Sequence, residues 1–453
     1  KTLREKGRPN HRLYYKQVIR MERLGARKVK LVFKDASNRE MPMIMGLMPI
    51  LSKAYYGKVD FEKSSLRPPL GSGPYKIDKI DPGRSITYRR DPDYWGRDLP
   101  VNKGQYNFDT ISFEYYRDGV VALEAFKAGL VHMRREADPG RWATGYASPA
   151  LKEGKIVLDE IANGRPAGMY GLVFNTRRAL FADRRVRAAL ASALDFDWMN
   201  RTLFHGAYKR TSSYFEKSEL AASAPPTAAE IALLEPFRAT LPPEVFTKAY
   251  APPGAKGRQG LRDALNGLRA AGWRIEGKTM LTGEKRPAAF EILLLNPRDE
   301  RLALEYRRRL RRLGISVSVR TVDTAQYQSR LNTYDFDMIV YRWDPSLSPG
   351  NEQAFYWGSK AALEEGTRNY PGIRDPAVDA MIERLLDARE RQDLIDAARA
   401  LDRVLQWGHY VVPLFYLEKD RLAYWDRFGK PDVVPLYGYQ LDAWWEDAAK
   451  AAR

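Results

Sequence analysis

The chain has 453 residues, with 75 lysines and arginines against 57 acidic residues, and it contains no cysteine. At about 150 residues per domain this length predicts two or three domains, and the 44% hydrophobic share excludes a mainly disordered chain. The absence of cysteine excludes a disulfide scaffold, a thiolate nucleophile and an iron–sulfur cluster, and it fits an oxidising compartment. The longest uncharged apolar run, 41–51, has 11 residues, whereas a membrane-spanning helix needs about 20.

Alternating and helical patterns of apolar residues predict an α/β protein. The predicted strands lie at 28–34, 75–80, 84–90, 110–116, 169–175, 289–295, 315–321, 334–343 and 410–416. The predicted helices begin at Met41 and lie at 119–129, 182–195, 259–271, 298–313 and, as a pair, within 376–407. The strand–helix–strand order over 289–321 predicts a βαβ unit. The Pro- and Ala-rich stretch 222–257 predicts a long excursion over the surface.

The net charge of +18 raises the question of an anionic partner. The densest basic cluster lies in 305–313 (EYRRRLRRL), where leucines alternate with arginines. This spacing predicts the solvated face of an amphipathic helix. The chain has no basic Gly-rich tail and no aromatic RNA-binding box, so we expect no nucleic-acid partner.

No sequence motif of a catalytic site is present. The four histidines, His11, His132, His205 and His409, are not paired at the spacing of metal ligands. Motifs of zinc proteases, serine hydrolases and nucleotide-binding loops do not occur. We therefore expect a protein that is not an enzyme and that uses neither a cofactor nor a metal.

One loop combines aromatic and charged residues directly after a predicted strand. Trp343 could form a flat apolar wall, Asp344 could bind an ammonium group, and Arg342 could hold a carboxylate. Tyr341 precedes them. Loops at the carboxyl ends of strands are where α/β sheets bind ligands. From the residues alone, a core tryptophan beside a surface Arg342–Asp344 pair is an equally good interpretation.

Several segments, in order along the chain, resemble the family 5 solute-binding proteins of bacterial ABC importers, which include oligopeptide and dipeptide receptors. These segments are 71–75 (GSGPY), 89–95 (RRDPDYW), 122–129 (ALEAFKAG), 174–176 (FNT), 181–183 (FAD) and 185–187 (RVR). Others resemble the YejA-type branch, which is associated with peptide and microcin C uptake. These are 98–102 (DLPVN), 142–146 (WATGY), 212–215 (SSYF), 346–350 (SLSPG) and 407–410 (WGHY).

The resemblance implies a two-lobed periplasmic binding protein of cluster C (type II), with a ligand cleft between the lobes. It assigns 1–70 to the remainder of a small extra domain, 71–174 with 415–453 to the first lobe, and 175–414 to the second lobe. Family members carry further residues before the position of Lys1, so we expect the start of the first lobe, most of the extra domain and the signal peptide to lie outside this sequence.

The resemblance also implies a function. It predicts a monomeric periplasmic receptor that captures short peptides or peptide-like compounds, including microcin C-like ones, and delivers them to an inner-membrane ABC permease. The alternative is a receptor of the same fold for an oligosaccharide, opine or metal chelate.

Site residues follow from the same resemblance. Besides the loop 341–344, it nominates Ser346 and Glu352 on one lobe and Arg135, Glu136 and Trp142 on the other. Asp344 and Glu352 are the two candidates for binding the amino end of a peptide. The chain crossings are expected near 172–176 and 413–416, with hinge residues Phe174, Asn175 and Phe415.

Overall fold

The computed structural model describes residues 2–7, 11–12, 15, 17–34, 40–63, 65–254 and 257–451. The chain forms two compact units. Unit 1 comprises Lys1–Asn163 and Lys419–Arg453, and unit 2 comprises Gly164–Glu418.

Strands and helices are labelled here in chain order. The strands are β1 Val18–Arg23, β2 Val29–Phe33, β3 Tyr75–Asp81, β4 Ser85–Arg90, β5 Thr110–Glu114, β6 Met133–Arg135, β7 Ile156–Ala162, β8 Met169–Phe174, β9 Lys209–Arg210, β10 Arg274–Glu276, β11 Thr279–Leu281, β12 Ala289–Leu294, β13 Ser316–Thr321, β14 Met338–Trp343, β15 Val411–Pro413, β16 Phe415–Tyr416, β17 Lys419–Trp425, β18 Phe428–Gly429 and β19 Trp445–Glu446. The α-helices are α1 Thr2–Lys6, α2 Met41–Gly46, α3 Lys53–Tyr56, α4 Gly119–Lys127, α5 Pro149–Lys152, α6 Arg184–Ser192, α7 Phe196–Leu203, α8 Ala228–Leu234, α9 Arg258–Ala270, α10 Glu300–Arg311, α11 Thr324–Asn332, α12 Glu352–Trp357, α13 Pro376–Asp387, α14 Arg391–Trp407 and α15 Ala448–Ala451.

Unit 2 is built around a five-stranded sheet of order β13-β12-β14-β8-β15. Strands β12, β13 and β14 are parallel, and β8 runs antiparallel to both β14 and β15. The predicted βαβ unit is therefore confirmed, with α10 connecting β12 to β13. Asp183, Asp323 and Asp375 begin α6, α11 and α13 by accepting hydrogen bonds from backbone N–H groups, which satisfies donors that a helix start leaves free.

Two apolar layers cover the faces of this sheet. On one face, residues of α13 and α14 pack with Val173 and Ile339. On the other, residues of α6, α9 and α10 pack with Leu172 and Met338. Neighbouring strand residues thus enter different layers, as strand geometry requires. The unit is a three-layer α/β/α sandwich, which confirms the predicted fold class.

Unit 1 contains smaller sheets. Strands β3, β4 and β5 form one antiparallel sheet, and β6, β17 and β7 form another, in which the returning chain supplies the central strand. Asp118 accepts hydrogen bonds from Val120 N and Val121 N at the start of α4. Gly129, with φ +74, follows the end of that helix, as predicted.

The chain passes between the units at 163/164 and 418/419. The sequence predicted lobe limits at 174/175 and 414/415, whereas both β8 and β15 belong to the sheet of unit 2. The predicted three-part division, with 1–70 as a separate part, remains a prediction. The predicted strand 410–416 is two strands, since β15 joins the five-stranded sheet and β16 pairs with β9.

Two surface predictions need correction. The stretch 222–257 is not a simple surface excursion, because Leu234 and Val245 are fully buried in the core of unit 2. In the arginine-rich helix α10, Arg309 is buried, and its Nη1 lies 3.5 Å from Asp195 Oδ2. Arg307, whose side chain faces solvent, follows the prediction.

Candidate ligand-binding site

The carboxyl ends of β12, β13 and β14 lie at one edge of the unit 2 sheet, because these strands are parallel. The loop 344–351 begins at this edge, directly after Trp343. The backbone is tightly packed here. At Gly168 a β-carbon would lie 2.1 Å from Trp343 O, so glycine is required for the approach of the two segments.

The predicted residues 341–343 lie on opposite faces of the sheet. They are the last three residues of β14, and side chains alternate along a strand. Tyr341 and Trp343 pack in the layer that contains α13 and α14, whereas Arg342 lies on the face of Met338 and Val340. The three side chains therefore do not share one face of the sheet, and their role in ligand binding remains a prediction.

Arg342 is held against Tyr170, its cross-strand partner in β8. The guanidinium carbon lies 4.6 Å from the Tyr170 ring centroid, and Nη1 donates to Ala167 O at 3.1 Å. Burial lowers the pKa of Arg342, and the Asp344 carboxylate opposes that shift. The Tyr170 hydroxyl donates to Asp299 Oδ1 at 3.0 Å. Burial raises the pKa of Asp299. Arg342 is thus a half-buried cation in a polar cluster.

Trp343 is a core residue. Only 3% of its surface is exposed, and its ring centroid lies 4.8 Å from that of Tyr341 and 4.7 Å from that of Trp357. The indole Nε1 donates to Arg368 O at 3.4 Å. Of the two interpretations left open by the sequence, burial favours the core tryptophan over the ligand wall.

Asp344 is exposed at the point where the strand ends. Its carboxylate makes no hydrogen bond and no ion pair with any residue that the structure describes. By contrast, Glu352 Oε1 accepts from Gly350 N at 3.0 Å and from Gln353 Nε2 at 3.1 Å. Ser346 Oγ accepts from Ser348 N at 3.1 Å. Of the two predicted amine anchors, Asp344 is the more available carboxylate.

Sequence reasoning nominated Tyr341 but missed Tyr356, Arg368 and Tyr370, which pack with it or with one another. The ring centroids of Tyr341 and Tyr370 are 4.6 Å apart. Arg368 Nη1 donates to the Tyr356 hydroxyl at 3.4 Å. Burial raises the pKa of Tyr341. The Arg368 cation opposes this shift, whereas the Asp344 carboxylate adds to it. Tyr356, Arg368 and Tyr370 are separated from 341–344 in the sequence, and no motif surrounds them, so only the packing of α12 and of loop 358–375 brings them together with Tyr341.

The predicted residues of unit 1 have different environments. Glu136 is buried, and its carboxylate accepts from Arg134 Nη2, Arg141 Nη2, Asp138 N and the Tyr146 hydroxyl at 2.8–3.1 Å. Four donors from its own chain suit a structural role for this carboxylate, and the predicted role of Glu136 in ligand binding remains a prediction.

Arg135 and Trp142 also contact other residues of unit 1. The exposed Arg135 donates from Nη2 to Asp420 Oδ1 at 2.9 Å. Trp142, half-buried, lies under the Arg421 guanidinium at 5.5 Å. Their predicted role in ligand binding remains a prediction.

The three predicted hinge residues lie in the interior of unit 2. Phe174 is fully buried and packs on Phe181 at 5.1 Å. Asn175 Nδ2 donates to Tyr334 O and Phe336 O. Phe415 stacks on Tyr208 at 4.1 Å. Their role as a hinge remains a prediction.

The described residues contain neither a metal-ligand cluster nor a membrane-spanning helix. Within those ranges, no three His, Asp or Glu side chains come together as they would around a metal ion. None of the described helices has the length and apolarity needed to cross a bilayer.

Comparison with known proteins gives consistent matches. Residues 1–364 match the model of bacterial extracellular solute-binding proteins, family 5. The chain is 42% identical over 459 residues to the peptidoglycan-binding protein YepA of Agrobacterium fabrum, covering 98% of this chain and 74% of YepA. It is 41% identical over 458 residues to the probable peptide-binding protein YejA of the same organism, and the match covers 97% of this chain and 74% of YejA.

A solved structure shows the same fold. The oligopeptide-binding protein AppA of Bacillus subtilis, in complex with a nonapeptide, superposes with a TM-score of 0.74 at 18% identity. The match covers 98% of this chain and 81% of AppA.

Proposed function

This chain belongs to family 5 of the bacterial extracellular solute-binding proteins, and we propose that it captures peptides or peptide-like compounds in the periplasm. The names of two relatives, a peptide-binding and a peptidoglycan-binding protein, support a ligand with peptide character. The receptor acts as a monomer and delivers its ligand unchanged to an inner-membrane ABC permease.

The observation that carries this proposal is the state of Asp344. It is an exposed carboxylate at the edge of the sheet where the parallel strands β12, β13 and β14 end, and it has no hydrogen bond or ion pair with the described residues. It is close enough to the half-buried Tyr341 and Tyr356 to raise their pKa values. A carboxylate next to aromatic rings suits an ammonium group, because it supplies charge while the rings supply a flat and weakly negative surface. The free amino end of a peptide is such a group. We also propose that Arg342, on the opposite face of β14, contacts a carboxylate of the ligand.

Calorimetric titration with synthetic peptides tests this assignment. Wild-type protein is expected to bind peptides with a free amino end and to bind their N-acetylated forms at least about tenfold more weakly, since a charge-assisted hydrogen bond is lost. Asp344→Asn is expected to remove this difference. Asp387→Asn, which changes another exposed carboxylate without a partner in the described ranges, is the control.

Two results would contradict the proposal. If Asp344→Asn binds free peptides at the wild-type level and still prefers them over acetylated ones as wild type does, Asp344 is removed from the site. Mass spectrometry of incubated peptides that revealed accumulating cleavage products would contradict a receptor that only binds.

A further inference from the structure

The exposed face of helix α10 in unit 2 consists of arginines and one leucine. Its members follow one another at three or four residues, the spacing of neighbours on one side of a helix. This arginine face comprises Arg301, Leu304, Arg307, Arg308 and Arg311. The opposite side of the helix, with Leu302, Tyr306 and Leu310, is buried in the core of the unit. The arginine face is therefore presented to solvent by a firmly packed helix.

Most of the charge on the arginine face is not neutralised. Arg308 is paired, since its Nε and Nη2 donate to the buried Glu305 at 2.7 and 2.8 Å. Arg301, Arg307 and Arg311 form no hydrogen bond or ion pair with the residues that the structure describes. Solvated surfaces normally mix charges of both signs, whereas this face presents only positive ones.

The basic surface continues beyond α10. Arg312, at the end of the helix, is exposed. Arg309 Nη2 donates to Gly257 O at 2.8 Å, which places Arg258, the first residue of α9, beside the same end of α10. Arg258 is exposed and has no hydrogen bond or ion pair in the described part of the chain. Two helices thus contribute free cations to one region.

Helix stability alone does not explain these arginines. Cations stabilise the last turn of a helix, where Arg308 and Arg311 lie, but they are unfavourable in the first turn, where Arg301 lies. Arg307 and Arg311 are four residues apart, and like charges at this spacing destabilise a helix. An anionic partner relieves both effects, because it neutralises the exposed charges.

The apolar neighbours of these arginines indicate the kind of anionic partner. Leu304, at the middle of the arginine face, is 45% exposed. The half-buried Trp198 of α7 lies under Arg308, whose guanidinium carbon is 5.6 Å from the indole ring. The guanidinium fork matches the oxygens of a phosphate group, and arginine with leucine and tryptophan is typical of protein surfaces at lipid head groups. Single-stranded nucleic acids, by contrast, are bound by stacking on exposed aromatic rings, which the arginine face does not contain.

We propose that the arginine face binds the phosphate groups of an anionic phospholipid bilayer. Arg301, Arg307 and Arg311 contact lipid phosphates, and Leu304 meets the head-group layer. Such binding holds the protein at the membrane in which the permease of the proposed function lies. The inference does not depend on peptide capture, so either one can fail without the other.

Co-sedimentation with lipid vesicles tests the inference. The probes are vesicles of phosphatidylcholine alone and vesicles in which about a third of the lipid is the anionic phosphatidylglycerol. The variant is Arg307→Gln with Arg311→Gln. Its matched control is Arg384→Gln with Arg389→Gln, which removes the same charge from two other exposed arginines without a partner in the described ranges. Thermal unfolding verifies that both double variants are folded.

The expected result is a loss that depends on position. Wild-type protein binds the anionic vesicles and not the neutral ones, and added salt weakens this binding because it screens exposed charges. The variant at 307 and 311 binds the anionic vesicles at least about tenfold more weakly, since each arginine near an anionic surface contributes to the attraction. The control at 384 and 389 behaves as wild type. Arg307→Lys with Arg311→Lys is intermediate, because it retains the charge without the fork.

Other results overturn the inference. Wild-type protein that does not bind the anionic vesicles has no such surface. An equal loss in the variant and in the control shows that net charge, and not the arginine face, is responsible. If the variant at 307 and 311 keeps its affinity for vesicles but loses affinity for a synthetic DNA duplex, the partner is a nucleic acid. Calorimetric titration of the same variant with peptides is expected to give wild-type affinity, so each of these results leaves the proposed function standing.

Discussion

Arg342 and Tyr170 are directly opposite each other in the antiparallel pair of β14 and β8, with the guanidinium carbon 4.6 Å from the ring centroid. The same tyrosine donates its hydroxyl hydrogen to Asp299. One aromatic residue therefore positions both a cation and a carboxylate at the carboxyl edge of the unit 2 sheet.

Removing only the hydroxyl group of Tyr170 separates these two contacts. Tyr170→Phe keeps the ring under Arg342 and loses the hydrogen bond to Asp299, so the free energy of unfolding is expected to fall by about 1 kcal/mol. Tyr170→Leu is expected to cost more, because the ring is lost as well. Urea unfolding measures both. Tyr437→Phe, at an exposed position, is the control, and an equal loss in both phenylalanine variants would contradict the argument.

A buried ion pair between Glu230 and Arg403 holds the stretch 222–257 against helix α14. Both side chains are 1% exposed, and Arg403 Nε donates to Glu230 Oε2. Glu230→Gln leaves a buried charge without its partner and is expected to lower the free energy of unfolding by about 3–5 kcal/mol. The double variant Glu230→Met with Arg403→Met is expected to be more stable than Glu230→Gln, because no charge remains buried.

The exposed pair of Glu235 and Arg238 serves as the control for this experiment, since it lies on the same stretch at 2.7 Å. Exposed ion pairs contribute little to stability, so Glu235→Gln is expected to cause little or no loss. Urea unfolding of wild type and the three variants is the measurement. A loss for Glu230→Gln as small as that for Glu235→Gln would contradict a structural role of the buried pair.

Stability should depend on pH through His409. Burial, with the nearby Arg184 and Arg187, lowers the pKa of His409 to about 3. The unfolded chain takes up this proton near pH 6.5, so between these values the unfolded state binds more protons than the native state. The contribution of His409 to stability is therefore complete above about pH 6.5 and is lost as the pH falls toward 3.

The measurement is a difference between two proteins. His409→Asn cannot take up the proton, so the free energy of unfolding of wild type minus that of the variant is expected to fall by up to about 1.4 kcal/mol per pH unit below pH 6.5. Other titrating groups cancel in this difference. The exposed His205, changed to Asn, is the control. A difference that stays constant from pH 7 to about pH 4.5 would contradict the assignment.

A substitution of Glu136 in unit 1 distinguishes a role in stability from a role in peptide binding. Glu136→Gln removes a buried carboxylate from Arg134, Arg141 and Tyr146, and the free energy of unfolding is expected to fall by about 2–4 kcal/mol. Peptide affinity of the folded variant should remain at the wild-type level. Glu153→Gln, in the exposed pair with Lys155, is the control. A stable Glu136→Gln variant with weakened peptide binding would return Glu136 to the ligand site.

The fold was predictable because its signals are local. Short apolar runs indicated β8 and β12, and Asp183 marked the start of α6. The site was less predictable, because its properties depend on partners that are distant in the sequence. The sequence shows 341–344 as one continuous group, but strand alternation separates Arg342 from Trp343.

The burial of charged residues is equally difficult to predict from the sequence. Arginines and glutamates are normally exposed, so no local pattern indicates that Arg309 or Glu230 is buried. Their burial depends on Asp195 and Arg403, which other elements supply. In the same way, nothing beside Arg368 in the sequence indicates the tyrosines with which it packs.

Native mass spectrometry of the gently purified protein tests whether it is a receptor for peptides. The protein is measured as purified and after incubation with an equimolar library of short synthetic peptides with free amino ends, and bound compounds are then released by denaturation. We predict a series of retained masses that fragment into short peptides with free amino ends. Retention of a single non-peptide compound, with no library peptide bound, would contradict the account.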